Sequence, residues 1–284
     1  MSAPLAVLVD GQPSMSVPVT DRGFLYGDAL FEVMRTYDGA PGLFGPHMER
    51  MSAGGERLRF GAPCPVADFA ADVRRLIATV DRDVVLRLYW TRGDGGGLAG
   101  QPERGRRVSM AFPILRPPTE AYRDGVDCLV VQGRATDASE AKVATYVENI
   151  LATRRAREAG AHEALMVDAE GRVGEGATSN VFAVVDGVLW TPPLGAILPG
   201  VTRQVVLSEA RAEGLEVEEG PLTVDALRRA SEVFLTSSVR EVLPVRAVDG
   251  DGPREPGPIT AQLAERYEAA ARADARSWAA SSSD

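Results

Sequence analysis

The stretch PILRPPTEAY, residues 113–122, carries three prolines and divides the chain into two blocks that each mix strands and helices. Proline fixes its own φ and has no amide hydrogen, so such a stretch interrupts helices and central strands alike. At 284 residues the chain is long enough for two domains and short for three. We therefore predict a linker near residues 113–120, a small N-terminal domain 1–117, and a larger domain 118–284 with a mobile SSSD tail.

In both blocks, runs rich in β-branched and aromatic residues alternate with runs that carry apolar residues at helical spacing. In the first block the predicted strands are LAVLVDG, ALFEVMRTYDG, VVLRLYWTRG and RRVSMAFPIL, and the predicted helices are GPHMERMSAGGERLRFG and VADFAADVRRLIATV. In the second block DCLVVQG and EVFLTSS are strands, and EALMVDAEGRVGEGATSNVFAVVDGVLWTPP is a meander of hairpins. Its predicted helices are TYVENILATRRAREAG (ended by Gly160), VTRQVVLSEARAEG, VDALRRA and ITAQLAERYEAAARADARSW. The predicted fold class is α+β.

Composition excludes several classes of partner. The formal net charge of -9 argues against nucleic acid and against an anionic membrane. The chain begins without a basic signal-peptide region, and no run approaches the roughly 20 apolar residues of a membrane span. Cys64 and Cys128 have neither disulfide nor metal spacing, and His47 and His162 exclude a histidine-rich metal centre. We predict a cytoplasmic protein without a metal.

Lys142 is the single lysine among the 31 lysine and arginine residues. Arginine does not lose its proton in proteins, whereas a lysine whose site lowers its pKa becomes a nucleophilic amine. Lys142 is therefore a candidate for a Schiff base, and the alternative is a surface lysine retained by chance. It lies between the loop ATDASE and a predicted helix, where its side chain can enter an interdomain cleft. Tyr146 follows four residues later, one helical turn away if the helix has begun.

Glu175 lies between two glycines in GRVGEGATSN, a setting that lets a flat ligand approach the backbone closely. The alternative is a solvated charge on a hairpin. The only two asparagines of the chain, Asn149 and Asn180, each fall next to one of these features.

Gly200 precedes a predicted helix whose first N–H groups, near Val201 and Thr202, have no partner within the helix. Such a terminus, with a threonine hydroxyl beside it, suits a phosphate, although an ordinary capped helix is the commoner reading. The strand in FLTSSVREV ends in Ser237 and Ser238, which add hydroxyl donors. An amine nucleophile, a carboxylate for a heterocycle and a phosphate site together describe a site for pyridoxal 5'-phosphate (PLP).

The order of several motifs resembles the class IV aminotransferases, the fold-type IV PLP enzymes. The motifs are DRGFLYGDALFEVMRTYDG, PHMERM, K-x-x-T-Y-V-E-N, GRVGEGATSNVF, TPP...ILPGVTR and FLTSSVREVLPV. This family includes branched-chain and D-amino acid aminotransferases, (R)-amine transaminases and aminodeoxychorismate lyase. The resemblance implies a small N-terminal α/β domain, a larger C-terminal pseudo-barrel domain, PLP in the cleft and a homodimer. Thr145 is one departure, since many members carry asparagine there.

Position by position, the resemblance implies roles for the matching residues. Lys142 is similar to the Schiff-base lysine, which moves the proton between the substrate Cα and the cofactor, and Glu175 to the partner of the pyridine nitrogen. The other positions implied to contact the cofactor are Tyr146 at its phenolic oxygen, Leu198 at its ring face, and Arg50, Val201, Thr202, Ser237 and Ser238 at its phosphate.

The substrate side departs from the best-known D-amino acid aminotransferases, which carry a tyrosine in the first motif and Arg-x-His in the loop after the TRG strand. Here the tyrosine position is Phe31 and the loop reads TRGDGGGLAGQ, so that carboxylate trap is absent. The residues expected to line the substrate pocket are Phe31, Arg35, Arg92, Val239 and Arg240. Each arginine is either the cation for the substrate carboxylate or a surface charge, and Arg35 is the first choice.

Two reactions are compatible with this resemblance. The favoured one is ping-pong transfer of an amino group between a D-amino acid, or also an (R)-amine, and a 2-oxo acid such as 2-oxoglutarate or pyruvate. The alternative is an aminodeoxychorismate lyase, because the glycine-rich loop and the Y-V-E-N and S-S-V-R-E motifs are similar to that enzyme. The branched-chain type has a different loop, and a non-catalytic scaffold is expected to lose the amine or the ring carboxylate.

Overall fold

The computed structural model of the chain describes residues 3–100, 102, 104–133, 140–195, 197–251 and 255–281. The chain forms two compact units: unit 1 is Met1–Leu115, Ala141–Thr145 and Ala271–Asp284, and unit 2 is Arg116–Glu140 and Tyr146–Ala270. Each unit has its own sheet, which confirms the predicted α+β fold class. The predicted domain boundary at residue 117 stays a prediction. Most of the ATDASE loop and of the SSSD tail lies outside the described residues.

Unit 1 is built on an antiparallel six-stranded sheet. Its strands are β1 (Ala6–Val9), β2 (Gln12–Pro13), β3 (Ala29–Tyr37), β4 (Ala40–Pro41), β5 (Val84–Thr91) and β6 (Arg106–Pro113), in the order β2-β1-β6-β5-β3-β4. Its helices are α1 (Arg22–Tyr26), α2 (Phe44–Arg57) and α3 (Val66–Ile77). Every strand and helix that the sequence predicts for the first block is present.

The core of unit 1 lies between this sheet and the two longer helices. One face of β3 contributes Leu30 and Met34, which pack in a cluster with Met48 and Met51 of α2. The apolar residues of α2 recur at helical spacing, so one side of the helix is buried on the sheet and the other faces solvent. β3 therefore has one face toward a helix-covered core and an opposite face that carries Phe31 and Arg35.

Unit 2 is built on a nine-stranded sheet in the order β12-β11-β10-β14-β15-β7-β8-β9-β13. These strands are β7 (Val126–Gln132), β8 (Glu163–Val167), β9 (Arg172–Gly176), β10 (Asn180–Val185), β11 (Val188–Thr191), β12 (Val217–Glu219), β13 (Leu222–Thr223), β14 (Glu232–Ser237) and β15 (Glu241–Val248). The helices are α4 (Thr119–Asp124), α5 (Val147–Glu158), α6 (Val201–Ala212), α7 (Val224–Arg229) and α8 (Pro258–Ala280).

The topology of unit 2 follows from its connections. β7 and β8 pair in parallel, and α5 is the crossover helix that a parallel pair requires. β8 pairs with β9 and β10 pairs with β11 as antiparallel hairpins, as predicted. β9 and β10 are not neighbours in the sheet, because β10 pairs with β14 instead, so the predicted continuous meander is wrong at that step. Gly160, with φ at 77°, stops α5 two residues after its last helical residue, as the sequence predicts.

Several elements differ from the sequence-based expectation. Residues 114–118 have no regular structure, but α4 begins directly after Pro118, because proline is compatible with a helix start. The short helix α1 and the strand β15 are not predicted, and the proline within EVLPVRAV weakens the strand pattern of β15. α5 begins at Val147, so the helical spacing invoked between Lys142 and Tyr146 is wrong.

Membrane insertion has no support in the described residues: none of their helices combines the length and the apolarity of a membrane span.

Glu232 of β14 provides a test of how α8 is anchored. Its carboxylate accepts hydrogen bonds from the backbone N–H and the hydroxyl of Thr260, at 2.7 and 2.6 Å, and from the N–H of Ile259 at 3.2 Å. These N–H groups belong to the first turn of α8 and have no partner within the helix. We expect Glu232→Ala to lower the free energy of unfolding by about 1–3 kcal/mol in chemical denaturation. Glu216→Ala, at an exposed side chain, is the control, and an equal loss in both variants would contradict the anchoring role.

Candidate active site

Backbone pairing positions Lys142 in unit 1. The N–H of Phe31 donates to the carbonyl of Lys142 at 2.9 Å, and the N–H of Ala144 donates to the carbonyl of Ala29 at 2.8 Å. An isolated bridge between Leu30 and Val143 lies between these two bonds. The segment that carries the single lysine is therefore paired with the first residues of β3, and this pairing fixes the position of its backbone.

The amine of Lys142 lies over an aromatic ring. Its Nζ is 4.5 Å from the ring centroid of Phe31, and Phe31 is stacked on Tyr89 with centroids 5.3 Å apart. A cation over an aromatic face is attracted by the ring quadrupole. The structure thus places the predicted substrate residue Phe31 directly beside the predicted nucleophile.

The opposite face of β3 carries a buried charged cluster of Glu32, His47 and Arg50. Arg50 donates from Nε and Nη2 to the two carboxylate oxygens of Glu32, at 2.8 and 2.5 Å. His47 Nδ1 is 2.7 Å from Glu32 Oε2. Glu32 is fully buried, and His47 and Arg50 are 1% and 9% exposed at their side chains. We refer to these three residues as the Glu32 cluster.

The electrostatics of the Glu32 cluster fix its protonation. Burial raises the pKa of Glu32, but the charge and hydrogen bonds of Arg50, together with His47, lower it to about 2. Burial lowers the pKa of His47, and the charges of Arg50 and Lys142 lower it further, against the opposing effect of Glu32. Glu32 is therefore ionised and His47 is neutral near pH 7. A neutral histidine that faces a carboxylate through Nδ1 carries its hydrogen there.

The two predicted substrate arginines of unit 1 have different surroundings. The Arg35 guanidinium is buried and lies 4.5 Å from the ring centroid of Tyr37. The Arg92 guanidinium donates to the carboxylate of Asp28 and to the carbonyls of Leu58 and Arg59, at 2.7–2.8 Å. Arg92 therefore binds the carbonyls that follow α2, a structural function that its place in the TRG motif does not indicate. Its role toward substrate stays a prediction.

In unit 2, Glu175 is held by its neighbours. Its Oε2 accepts hydrogen bonds from the side-chain amide of Asn180 and from the backbone N–H of Leu198, both at 3.1 Å. The same Asn180 amide donates to the Leu198 carbonyl at 3.0 Å. Two residues, one at the start of the next strand and one in a loop, thus orient the carboxylate of this strand residue. These hydrogen bonds give Asn180, one of the two asparagines of the chain, a function beside the motif GRVGEGATSN.

Gly200 brings the N-terminus of α6 against Asn180. A Cβ at Gly200 would lie 1.9 Å from Asn180 Oδ1, so only glycine permits this approach. α6 begins at Val201, as predicted, and its first N–H groups have no partner within the helix. The Thr202 hydroxyl, in the first turn of α6, donates to the Tyr267 hydroxyl at 3.3 Å, and its role toward a phosphate stays a prediction.

A second buried carboxylate, Glu163, supports the turn between β9 and β10. Arg240 donates to Glu163 at 2.7 Å, to the Thr178 hydroxyl at 2.7 Å and to the Ser237 hydroxyl at 3.1 Å. The Thr178 hydroxyl also donates to Glu163, at 2.8 Å. The structure therefore gives Arg240 and Ser237, a predicted substrate residue and a predicted phosphate residue, a shared role in holding the turn that follows Glu175. Ser238 and Val239 lie in the segment between these two residues.

Asn149, in the first turn of α5, bonds the same turn. Tyr146 is the N-cap residue of α5, and the Asn149 amide donates to the Ala177 carbonyl at 2.8 Å. Both asparagines of the chain thus bond the segment between β9 and β10 or its flanks. Their scarcity in the sequence is a signal for these positioning bonds, whereas nothing in the local pattern marks Glu32 or Glu163.

Comparison with known proteins identifies the family. The family described as amino-transferase class IV matches residues 29–248 of the chain. A protein of Methanocaldococcus jannaschii named as a branched-chain-amino-acid aminotransferase is 35% identical, with 88% of this chain and 90% of that protein covered. The D-alanine aminotransferase of Bacillus licheniformis is 32% identical, with 86% of this chain and 88% of that protein covered. The chain belongs to the class IV aminotransferases and is an enzyme of that family.

Solved structures give the same assignment for the fold. The 4-amino-4-deoxychorismate lyase of Pseudomonas aeruginosa has a TM-score of 0.86 and 30% identity, and the match covers 94% of this chain and 99% of that one. The PLP-bound form of a hypothetical aminotransferase from Mycobacterium tuberculosis has a TM-score of 0.82 and 28% identity, and covers 95% and 99%. The fold is that of the fold-type IV enzymes, and the cofactor is PLP, which this family uses.

The close approach of Gly200 to Asn180 is directly testable. We expect Gly200→Ala to displace the Asn180 amide and so to release Glu175, because the added Cβ and Oδ1 cannot both keep their positions. The Kd for PLP, measured by titrating the cofactor-free full chain, is expected to rise roughly tenfold, equivalent to about 1.4 kcal/mol. Gly45→Ala in α2 is the matched control, since a Cβ there meets nothing within 4 Å. Equal Kd values for the two variants would contradict the positioning role of Asn180.

Proposed function

We propose that this enzyme transfers an amino group between a D-amino acid and a 2-oxo acid such as 2-oxoglutarate or pyruvate. The observation that carries the proposal is the position of the single lysine, whose backbone is paired with β3 and whose amine lies 4.5 Å from the Phe31 ring centroid. The preference for D-amino acids is supported by the similarity to D-alanine aminotransferases, such as that of Bacillus licheniformis.

The residues of both units fit PLP by their chemistry. A pyridine nitrogen that must stay protonated requires a carboxylate at a fixed position, and Glu175 is oriented by Asn180 and Leu198. A phosphate requires N–H donors and cations, which the first N–H groups of α6, at Val201 and Thr202, and the Arg50 guanidinium supply. When bound, PLP supplies the electron sink that allows a proton to leave the substrate Cα.

Within this proposal, Lys142 is the catalytic residue. With PLP bound, its neutral amine would accept the proton from the substrate Cα and hold it for return during the transfer. Glu175 keeps the ring nitrogen protonated, and Tyr146 donates to the phenolic oxygen. The other proposed cofactor contacts are Leu198 at the ring face, and Arg50, Val201, Thr202, Ser237 and Ser238 at the phosphate.

Arg35 is the residue that we propose for the substrate carboxylate. It lies four residues after Phe31 on β3, and side chains four apart on a strand share a face. Arg92 and Arg240 already bind carboxylates and other oxygen acceptors of the protein, so they contribute chiefly to the scaffold. Val239, next to Arg240, completes the proposed substrate side together with Phe31.

The second candidate is elimination of pyruvate from aminodeoxychorismate, which also yields 4-aminobenzoate. It is favoured by the likeness to the Pseudomonas aeruginosa lyase, at 30% identity and a TM-score of 0.86. The residues proposed for PLP are compatible with both reactions. Each reaction begins with loss of a proton from the carbon that bears the amino group. Only a substrate assay separates the two.

The decisive assay offers D-alanine with 2-oxoglutarate to the purified holoenzyme, beside L-alanine, L-leucine, an (R)-amine and aminodeoxychorismate. We expect pyruvate and glutamate from the D-alanine reaction, at a rate that exceeds that with either L-amino acid. Lys142→Ala is expected to lose turnover by at least roughly a thousandfold, because no other lysine can move the proton. Formation of 4-aminobenzoate without amino transfer, or turnover of L-leucine alone, would contradict the proposed reaction.

We also propose that the enzyme is a homodimer. In unit 1 the α1 residues Phe24, Leu25 and Tyr26 expose 67%, 49% and 42% of their surface, and Leu98 exposes 82%. Arg22 of the same helix donates to the carbonyls of Gly97 and Leu98, so the helix and the loop form one exposed apolar surface. Apolar patches of this kind often mark subunit interfaces.

Light scattering tests the assembly state. The chain has a mass of 30.2 kDa, and we expect a solution mass near twice that value. Leu25→Asp is expected to shift the mass toward the monomer, because it places a charge within the apolar surface. Glu49→Asp, at an exposed residue of α2, is the control. A wild-type mass of one chain at micromolar concentration would contradict the dimer.

A further inference from the structure

Glu32 has no role in the mechanism proposed above, although it is a fully buried carboxylate that pairs with Arg50, a residue proposed to bind the phosphate. Its neighbours on the same face of β3, Leu30 and Met34, are apolar and pack in the core. A carboxylate in this layer must be compensated by partners, and here the partners are Arg50 and His47. Replacement of a buried ion pair by apolar side chains is often neutral or stabilising, so the fold alone does not require an acid at this position.

We propose that Glu32 is a positioning residue that holds Arg50 in place for the phosphate of PLP. The inference rests on the proposed role of Arg50 at the phosphate. The Glu32 carboxylate engages one edge of the guanidinium, through Nε and Nη2, in a two-point contact. A contact of this type fixes both the position and the plane of the guanidinium, and the edge that carries Nη1 is then aimed in a single direction.

His47 completes the arrangement. It lies three residues before Arg50 on α2, which puts the two side chains on the same side of the helix, and both reach Glu32. Because Glu32 is ionised, it accepts the Nδ1–H of neutral His47, and this bond selects the tautomer in which Nε2 is an acceptor. A single carboxylate thus sets the orientation of a permanent cation and the hydrogen position of a neutral imidazole.

The functional consequence concerns the phosphate specifically. A guanidinium that is already oriented loses less side-chain entropy when it pairs with a phosphate. Without the Glu32 carboxylate, the Arg50 side chain can adopt other rotamers, and its guanidinium is no longer held in one orientation toward the phosphate. The effect of Glu32 on cofactor affinity is therefore expected to depend on the phosphate and not on the pyridine ring.

The test compares PLP with pyridoxal, which lacks the phosphate, as ligands of the cofactor-free full chain. We expect Glu32→Gln to raise the Kd for PLP roughly tenfold to a hundredfold, and to change the Kd for pyridoxal less than about twofold. Glu232→Gln, which alters a buried carboxylate that caps α8, is the control for general destabilisation and is expected to leave both Kd values unchanged. Equal loss for PLP and pyridoxal, or no loss for either, would overturn the proposal.

Two further variants keep the result interpretable. Glu32→Asp retains the charge but withdraws it from Arg50, so a PLP-specific loss in this variant supports positioning even if Glu32→Gln does not fold. Arg50→Gln separates the present inference from the proposed function. A PLP-specific loss in Arg50→Gln but not in either Glu32 variant overturns the role of Glu32 and leaves the phosphate role of Arg50 standing. No PLP-specific loss in Arg50→Gln overturns both.

Discussion

Two backbone hydrogen bonds between β3 and the segment around Lys142 are the constraint on which the proposed chemistry depends. They tie Lys142 and Ala144 to Phe31 and Ala29. An amine that must reach one carbon atom requires a fixed Cα, because the lysine side chain itself has four rotatable bonds. Main-chain pairing supplies that fixed point without any particular side chain. The aromatic ring of Phe31 then limits where the amine lies.

In unit 2, hydrogen bonds fix the position of a carboxylate, that of Glu175. Glu175 is oriented by the Asn180 amide and the Leu198 N–H, and Asn180 itself is confined by the absence of a side chain at Gly200. A group that is already in place when charge develops avoids the cost of reorganisation during the reaction. The position of the carboxylate therefore depends on three residues together, Glu175, Asn180 and Gly200, although they belong to two strands and the start of a helix.

The sequence predicts the regular elements and the chemically unusual residues well. Strand and helix patterns extend over many positions, so an error at one residue does not hide the element, as β3 and α2 illustrate. Lys142 is identifiable because it is the single lysine, and Glu175 because glycines flank it. The sequence pattern does not predict α1, because this helix has only five residues. It does not predict β15, because Pro244 interrupts the strand pattern.

Residues that hold the site in place through hydrogen bonds cannot be predicted from the sequence, because their partners lie far away along the chain. Glu163 acquires its role from Arg240, 77 positions later, and Arg92 from the carbonyls of Leu58 and Arg59. Arg92 and Arg240 are counted among the substrate cations from sequence, since a charged residue in a functional motif looks the same whether it binds a ligand or the protein. The contacts show what these two arginines bind within the protein, and their role toward substrate stays a prediction.

The most direct measurement is reduction of the holoenzyme with borohydride, followed by mass mapping of its peptides. Borohydride fixes PLP to the amine that holds it, and Lys142 is the only lysine side chain available. The expected result is one added cofactor per chain on the peptide that contains Lys142. Cofactor recovered only on the N-terminal amine, or not at all, would contradict the central claim that this amine carries the chemistry.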